Sequence, residues 1–398
     1  MKRTVFWVGI LIVVFLFAPA TVGAADKVRG VTDDEIVIGM TTPLTGPAAL
    51  WGVTALAAKA WADHINDQGG IHGRKLKIIL VDDGYNPARA LANLQQMKNK
   101  VFVVAGLLGT AVLHTTRDFF AENKMPMVMG YGNTRIFADY PKDKLRYLFL
   151  TYPDYEDEAD WIIKYAYRNL KGKKFAVFYQ NDDYGKLGLV GVEKAVKDLP
   201  GTKLVASIPY EVTERSLSVH ALKLKESGAD TLYMLPTPTH AALIMKEMAK
   251  VGYKPTVMTS FPVGDPIMFK LAGKLWEGVY PAQVAHADLP FFDTKADQVI
   301  EILLKYNPKI KGMENLAIFG SISMMHLVEG LKRAGRDLTV DKLIAAMESI
   351  KDWKPEGMGS PVTYGPDRHH GLNGIRLSRA ENGRIKPITG YIVFESYF

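Results

Sequence analysis

The sequence predicts an α/β protein of two lobes, each built on a parallel sheet with helices on both faces. Three observations predict it. From Glu35 to Thr259, short runs that are apolar throughout alternate with amphipathic stretches of helical period, the pattern of strands buried between helix layers. The series runs twice, once before and once after Leu150. Finally, 398 residues exceed what one hydrophobic core usually supports, and no low-complexity or flexible linker separates the halves.

The first series opens with the strand Glu35-Ile-Val-Ile-Gly39, the loop Thr41-Thr-Pro-Leu-Thr-Gly-Pro47 and a helix from Gly52 to Asn66. In that helix Val53, Leu56, Ala57, Ala60 and Trp61 share one face. The run Asp67-Gln-Gly-Gly70 stops it, because glycine best adopts the left-handed conformation after a helix end. Strands follow at Leu76–Val81, Val101–Ala105 and Pro126–Met129, with helices at Pro87–Lys98 and Thr110–Asn123 between them.

The second series has helices at Asp154–Leu170, Gly185–Asp198, Ser216–Glu226 and Thr239–Val251. Its strands lie at Lys174–Tyr179, Lys203–Ile208, Thr231–Leu235 and Thr256–Thr259. Three further helical stretches, near Asp293–Tyr306, Asn315–Ala334 and Thr339–Ile350, precede a strand-rich tail punctuated by Gly and Pro. Two sheets without a floppy linker imply lobes joined by short crossings, an arrangement that can hinge about a cleft. Ligands of open α/β sheets sit at the carboxyl ends of the strands.

At the N-terminus Lys2 and Arg3 precede an uncharged apolar run, Val5 to Ala18, then Pro19 and small residues through Ala24 and Ala25. This is the pattern of a secretory signal peptide, and the run is shorter than the roughly 20 residues a spanning helix needs. Residues 1–25 are therefore expected to be removed, with cleavage after Ala24 or after Ala25. The chain has no cysteine, which excludes disulfides, thiol catalysis, thiolate metal sites and a lipid-anchored cysteine. A free secreted binder is useful in a closed compartment, so the periplasm is the expected location.

Removing Lys2 and Arg3 lowers the formal charge from +7 to +5. Basic residues are interspersed with acidic ones, as in Lys171-Gly-Lys-Lys174 and Glu156-Asp-Glu158, and lack the concentrated basic face that nucleic acid requires. No Gly-x-Ser-x-Gly elbow, P-loop or dinucleotide glycine fingerprint occurs. His369-His370 with Asp367 nearby reads as a surface turn, with a metal site as the alternative. Adjacent Asp82 and Asp83 at a strand end point to opposite sides, against a catalytic pair.

Several segments resemble the periplasmic solute-binding proteins of branched-chain amino acid ABC transporters. The opening Ile36-Val-Ile-Gly-Met-Thr-Thr-Pro-Leu-Thr-Gly-Pro47 looks like theirs. So do His64-Ile-Asn-Asp-Gln-Gly-Gly-Ile-His-Gly-Arg-Lys-Leu76, Val81-Asp-Asp83, Asn86-Pro-Ala88 and Tyr179-Gln-Asn-Asp-Asp-Tyr-Gly185. Order and spacing are kept over essentially the whole mature chain. The resemblance implies the type I binding-protein fold, two Rossmann-like lobes with three hinge crossings, here near Leu150, Ala285 and Gly359. One lobe then holds residues 26–150 and 285–358, the other 151–284 and 359–398. It implies a monomer that binds a small molecule without a cofactor or metal and delivers it to permease subunits in the inner membrane. A sensory module of the same fold and a secreted hydrolase are the rival readings.

The resemblance also assigns a site. The loop Leu107-Leu-Gly-Thr-Ala111 would grip a carboxylate through the backbone around Leu108 and Gly109 and the hydroxyl of Thr110. A loop that opens a helix presents unpaired N–H donors to an anion, with a cap on its own helix as the alternative role for Thr110. Tyr131 and Asn133 map to a second contact, with Asn133 and Gly132 also readable as turn chemistry. Trp51 and Tyr184 would sandwich an apolar group from the two lobes. The acidic side chain that pairs an amino acid's ammonium falls at Phe261, and a helping tyrosine falls near Thr237. Asp265 could supply the charge if the alignment slips by a few residues. Because a buried ammonium without a carboxylate is costly, Phe261 argues for an apolar or aromatic carboxylate over an α-amino acid.

Overall fold

The structure, a computed structural model, describes Met1 and residues 27–284, 294–355 and 360–398. The expected leader and the crossings expected near Ala285 and Gly359 lie outside the described residues. The first sheet contains β1 (Glu35–Thr42), β2 (Lys75–Asp82), β3 (Val103–Ala105), β4 (Met127–Val128) and β5 (Leu148–Phe149). Its order is β2-β1-β3-β4-β5 and every pair is parallel. Ile38 pairs with Ile78 on one side and Val103 on the other, and Ile38 and Val103 are wholly buried. Apolar runs on both faces become central strands because helices cover both sides.

These helices are α1 (Val53–Asp67), α2 (Pro87–Met97), α3 (Thr110–Glu122) and the short α4 (Lys142–Leu145). The start of α2 is written locally: Asn86 accepts from the Arg89 N–H, and Pro87 fills the first turn, where its missing donor costs nothing.

The second sheet takes α5 (Tyr155–Leu170), β6 (Lys174–Gln180), α6 (Asp183–Asp198), β7 (Lys203–Tyr210), α7 (Ser218–Glu226) and β8 (Thr231–Leu235). It continues through α8 (Pro238–Lys250), β9 (Thr256–Thr259), α9 (Ile267–Ala272) and β10 (Tyr280–Gln283). Strands β6 to β10 are parallel. The tail supplies β11 (Gly374–Glu381), β12 (Arg384–Pro387) and β13 (Ile392–Val393), which pair antiparallel. The order is β12-β11-β10-β9-β8-β6-β7, with β13 on β11.

Between β10 and β11 the chain forms α10 (Thr294–Tyr306), α11 (Glu314–Ala334) and α12 (Val340–Glu348). Helices α10 and α11 pack on α1, so this stretch belongs with the first lobe. The contact between α1 and α11 is tight. A Cβ at Gly320 would lie 2.3 Å from the carbonyl oxygen of Thr54, so only glycine lets the two backbones approach.

Two connections between the lobes run side by side. The Leu150 N–H donates to the His369 carbonyl at 2.9 Å, and the Gly371 N–H donates to the Leu150 carbonyl at 2.7 Å. Nearby, Arg135 reaches the Asp154 carboxylate at 3.0 Å and Asp157 at 3.3 Å. Asp154 caps α5 by accepting from the Glu156 and Asp157 N–H groups. Burial pushes its carboxyl up to about 6, against the pull of Arg135.

His369 and His370 are not on a surface turn, because both are buried at this junction. His370 donates from Nε2 to the Tyr152 carbonyl at 2.9 Å, and His369 stacks on Phe149 with ring centres 4.2 Å apart. Among the described residues no group of three His, Cys, Asp or Glu side chains is placed to hold a metal ion.

Candidate functional site

The carboxyl ends of both sheets face each other across a cavity. From the first lobe, Trp51, Tyr85, Leu108, Gly109, Thr110 and Tyr131 line it, joined by Thr54 of α1 and by Leu316 and Phe319 of α11. Tyr184, Phe261 and Pro262 close the other side, and Tyr152 and Tyr155 stand at the first connection. The empty space is about 430 Å³ including its mouth. Eight of the wall residues are aromatic and none carries a charge.

Local chemistry places each wall residue. Trp51 sits in the single helical turn before α1 and meets Tyr85 edge-on, with ring centres 5.7 Å apart. Tyr85 follows β2 with φ +63, the left-handed region, and its N–H donates to Asp83 at 2.9 Å. Asp83 also accepts from Thr41, and burial pushes its carboxyl up to about 6. Burial opposes ionisation of Asp82 as well, yet donors from Thr45, Gly84 and Leu44 outweigh it and hold Asp82 at about 2. The two aspartates therefore tie loops in place.

The loop before α3 is clamped to the strand end beside it. The Tyr131 N–H donates to the Leu107 carbonyl and the Gly109 N–H to the Tyr131 carbonyl, both at 2.7 Å. Gly109 has φ +115, and a Cβ there would come within 2.9 Å of the Tyr85 ring, so glycine is needed on both counts. The Thr110 hydroxyl accepts from the Asn133 N–H at 3.0 Å. Thr110 is the first residue of α3, with Gly109 at the cap position, so its side chain does not cap its own helix.

In the second lobe, Asp182 caps α6 and fixes Tyr184 at its start. The Tyr184 hydroxyl bonds to Ser260, and its ring lies 4.7 Å from that of Tyr155. Phe261 meets Tyr152 edge-on at 4.8 Å and Phe319 at 5.8 Å, the latter across the cleft. Its backbone N–H donates to Glu158 at 2.9 Å. Glu158 is wholly buried, its other oxygen has no partner among the described residues, and burial holds its carboxyl well above the usual range. Several polar contacts join the lobes around the cavity. Trp51 Nε1 donates to the Pro262 carbonyl at 3.1 Å, His114 Nδ1 lies 2.7 Å from Asp183, and Gln180 donates to the Tyr85 hydroxyl at 3.4 Å.

Seven of the nine residues expected at the site, Trp51, Leu108, Gly109, Thr110, Tyr131, Tyr184 and Phe261, line this cavity. Two do not. Thr237 caps α8, accepting from His240, and its own N–H donates to Tyr210. Asn133 is buried behind Thr110, and its side-chain oxygen caps the turn at Arg135. Asp265 is committed elsewhere as well, accepting from the N–H groups of Ile267 at 2.7 Å and Leu316 at 3.0 Å. Sequence reasoning missed Tyr85, Tyr152, Tyr155 and Phe319. The aromatic pair Tyr152-Pro-Asp-Tyr155 at the expected first crossing was the available signal.

Residues 35–384 match the family described as periplasmic binding protein. The chain belongs to that family. It is a family of solute-binding proteins rather than enzymes. The chain is 25% identical over 369 residues to Leu/Ile/Val-binding protein homolog 3 of Brucella melitensis, covering 92% of this chain and 96% of that one. It is 26% identical to Leu/Ile/Val-binding protein BraC3 of Rhizobium johnstonii, covering 88% and 93%.

Among solved structures, a branched-chain amino acid ABC transporter protein from Thermus thermophilus with bound valine superposes with a TM-score of 0.83 at 18% identity, covering 92% and 98%. A fatty acid ABC transporter substrate-binding protein from Thermomonospora curvata gives 0.80 at 22%, covering 93% and 95%. These likenesses establish the type I binding-protein fold for this member of the family. No helix among the described residues is long and apolar enough to cross a membrane.

Proposed function

We propose that the protein is the extracytoplasmic substrate-binding component of an ABC importer and captures a compact apolar or aromatic carboxylate between its lobes. The observation that carries this reading is a cavity walled by eight aromatic rings without one charged side chain. Such walls offer a primary ammonium no carboxylate, so it would be buried without a counter-charge. A carboxylate has a partner in the start of α3, where the N–H groups of the first turn lack intrahelical acceptors and the helix dipole is positive. Thr110 accepts from Asn133, which leaves its own O–H to donate to the anion. The basic start and apolar run of residues 2–18 support export to the periplasm, where the monomer would present its closed form to inner-membrane permease subunits.

A second reading, capture of a branched-chain amino acid, draws support from the relatives' names and from Glu158 directly behind Phe261. A thermal-shift panel of benzoate, phenylacetate, hexanoate, leucine, valine and their amides separates the two. A ligand at a hundredfold excess over its Kd stabilises the native state by about 2.7 kcal/mol. The apolar and aromatic carboxylates are expected to raise Tm. Stabilisation by leucine and valine alone would replace the first reading with the second.

A further inference from the structure

We propose that the ring of Tyr131 sets the length of solute that the cleft accepts, acting as its end wall rather than as a hydrogen-bonding contact. This rests on the reading of the cleft as the site for a compact apolar carboxylate.

The hydroxyl is already engaged. It donates to the carbonyl oxygens of Phe319 and Gly320 in α11, both at 3.3 Å. The ring lies 5.1 Å from that of Phe319 and 6.2 Å from that of Tyr152, both cavity residues, and Tyr131 itself is 3% exposed. One face of the side chain therefore meets the solute space while its tip is pinned to the helix.

Behind the ring the packing is close, so the ring itself fills the space that would otherwise lengthen the cavity. Gly106, at φ +66, has no side chain, and a Cβ built there would lie 3.4 Å from Cε2 of Tyr131, 3.0 Å from Cε of Met40 and 3.6 Å from Oγ of Ser323. Without the ring, the cavity would extend along α11 into a recess bounded by Met40, Gly106 and Ser323. The backbone cannot collapse into that recess, because Tyr131 is held on both sides by its bonds to Leu107 and Gly109. Flanking glycines tighten the clamp further. A Cβ at Gly130 would meet Leu113 and Leu150 at 2.8 Å, and one at Gly132 would meet the Thr110 backbone at 2.9 Å. A side chain anchored this firmly at the end of the cavity limits ligand length.

The test is calorimetry with two homologous series, straight-chain carboxylates from butanoate to decanoate and the matching primary amides, on the wild type and on Tyr131→Ala, Tyr131→Leu and Tyr131→Phe. In whichever series binds, Tyr131→Ala is expected to move the best chain length up by two or more carbons. Beyond the wild-type optimum, it should gain about fourfold in affinity per added methylene, the equivalent of roughly 0.8 kcal/mol per buried CH₂. Tyr131→Leu should give a smaller shift and decides the matter if the alanine variant does not fold. Tyr131→Phe keeps the ring and should leave the optimum where it is. The same optimum in wild type and Tyr131→Ala, or a shift in Tyr131→Phe, overturns the proposal while leaving the ligand class standing. Failure of both series to bind the wild type at any length overturns this inference, and failure of benzoate and phenylacetate as well overturns the ligand class with it.

Discussion

The indole N–H of Trp51 donates to the backbone carbonyl of Pro262, 3.1 Å away on the opposite lobe. Both groups are buried, so the bond exists only when the lobes are together. It belongs to the small set of contacts whose energy separates the closed form from the open one. Ligand-driven closure requires such differential contacts.

Trp51→Phe keeps an aromatic wall and deletes this donor. A net hydrogen bond contributes about 1 kcal/mol, so the closed-to-open ratio should fall roughly fivefold. Ligand affinity should weaken by a similar factor with little change in Tm of the unliganded protein. Small-angle scattering against ligand concentration, alongside calorimetry, checks both halves.

Thr110→Ala should cost stability as well as binding. The hydroxyl accepts from the buried Asn133 N–H, and stranding that donor costs about 1–3 kcal/mol. Thr110→Ser restores the acceptor and should recover most of the lost stability. Urea midpoints of the three proteins read the effect, and equal midpoints for alanine and serine would show that the bond carries no weight.

Gly320→Ala would drive a methyl group to 2.3 Å from the Thr54 carbonyl oxygen. Overpacking of this kind costs about 1–3 kcal/mol. The variant should unfold at lower urea with an unchanged m-value, while Ala317→Gly one turn earlier should not reproduce the steric effect.

His326 is buried, and burial holds its imidazole down to about 4. Its folded value lies below the unfolded one near 6.5, so the unfolded chain takes up the proton first as pH falls. Stability from the neutral ring is present above that value and is lost between about pH 6.5 and 4. Asp83, Asp154 and Asp265, each raised to about 6 by burial, pull the other way over much of this range. The comparison is therefore with His326→Leu, whose Tm relative to wild type should rise steadily as pH falls through the window. A constant difference would show that His326 does not titrate on unfolding.

The fold was legible because its signals are local. Asn86-Pro87 starts α2, Asp154 starts α5, and apolar runs such as Thr231–Leu235 become central strands. The site was legible only where a residue follows a strand end in a motif, as Thr110 and Tyr184 do. Tyr155 and Phe319 read as ordinary buried helix positions, because helical period does not reveal which buried face meets a cleft. Thr237 and Asn133 failed for the opposite reason. Their polar side chains are consumed by caps on the very turns that carry them, a use that competes with ligand contact wherever Asn or Thr ends a loop. His369 and His370 looked like turn residues because Gly and Pro surround them, yet β5 covers His369 and the C-terminal segment covers His370.

The clasp of Leu150 by His369 and Gly371 joins two of the strands of chain that link the halves into a single ribbon. A ribbon flexes along one axis and resists sliding of one edge past the other, so motion of the molecule should follow one arc, like a door on a long pin. Each swing then returns the same rings to the same helix end, and the selectivity of the trap is set by the stiffness of its spine as much as by its walls.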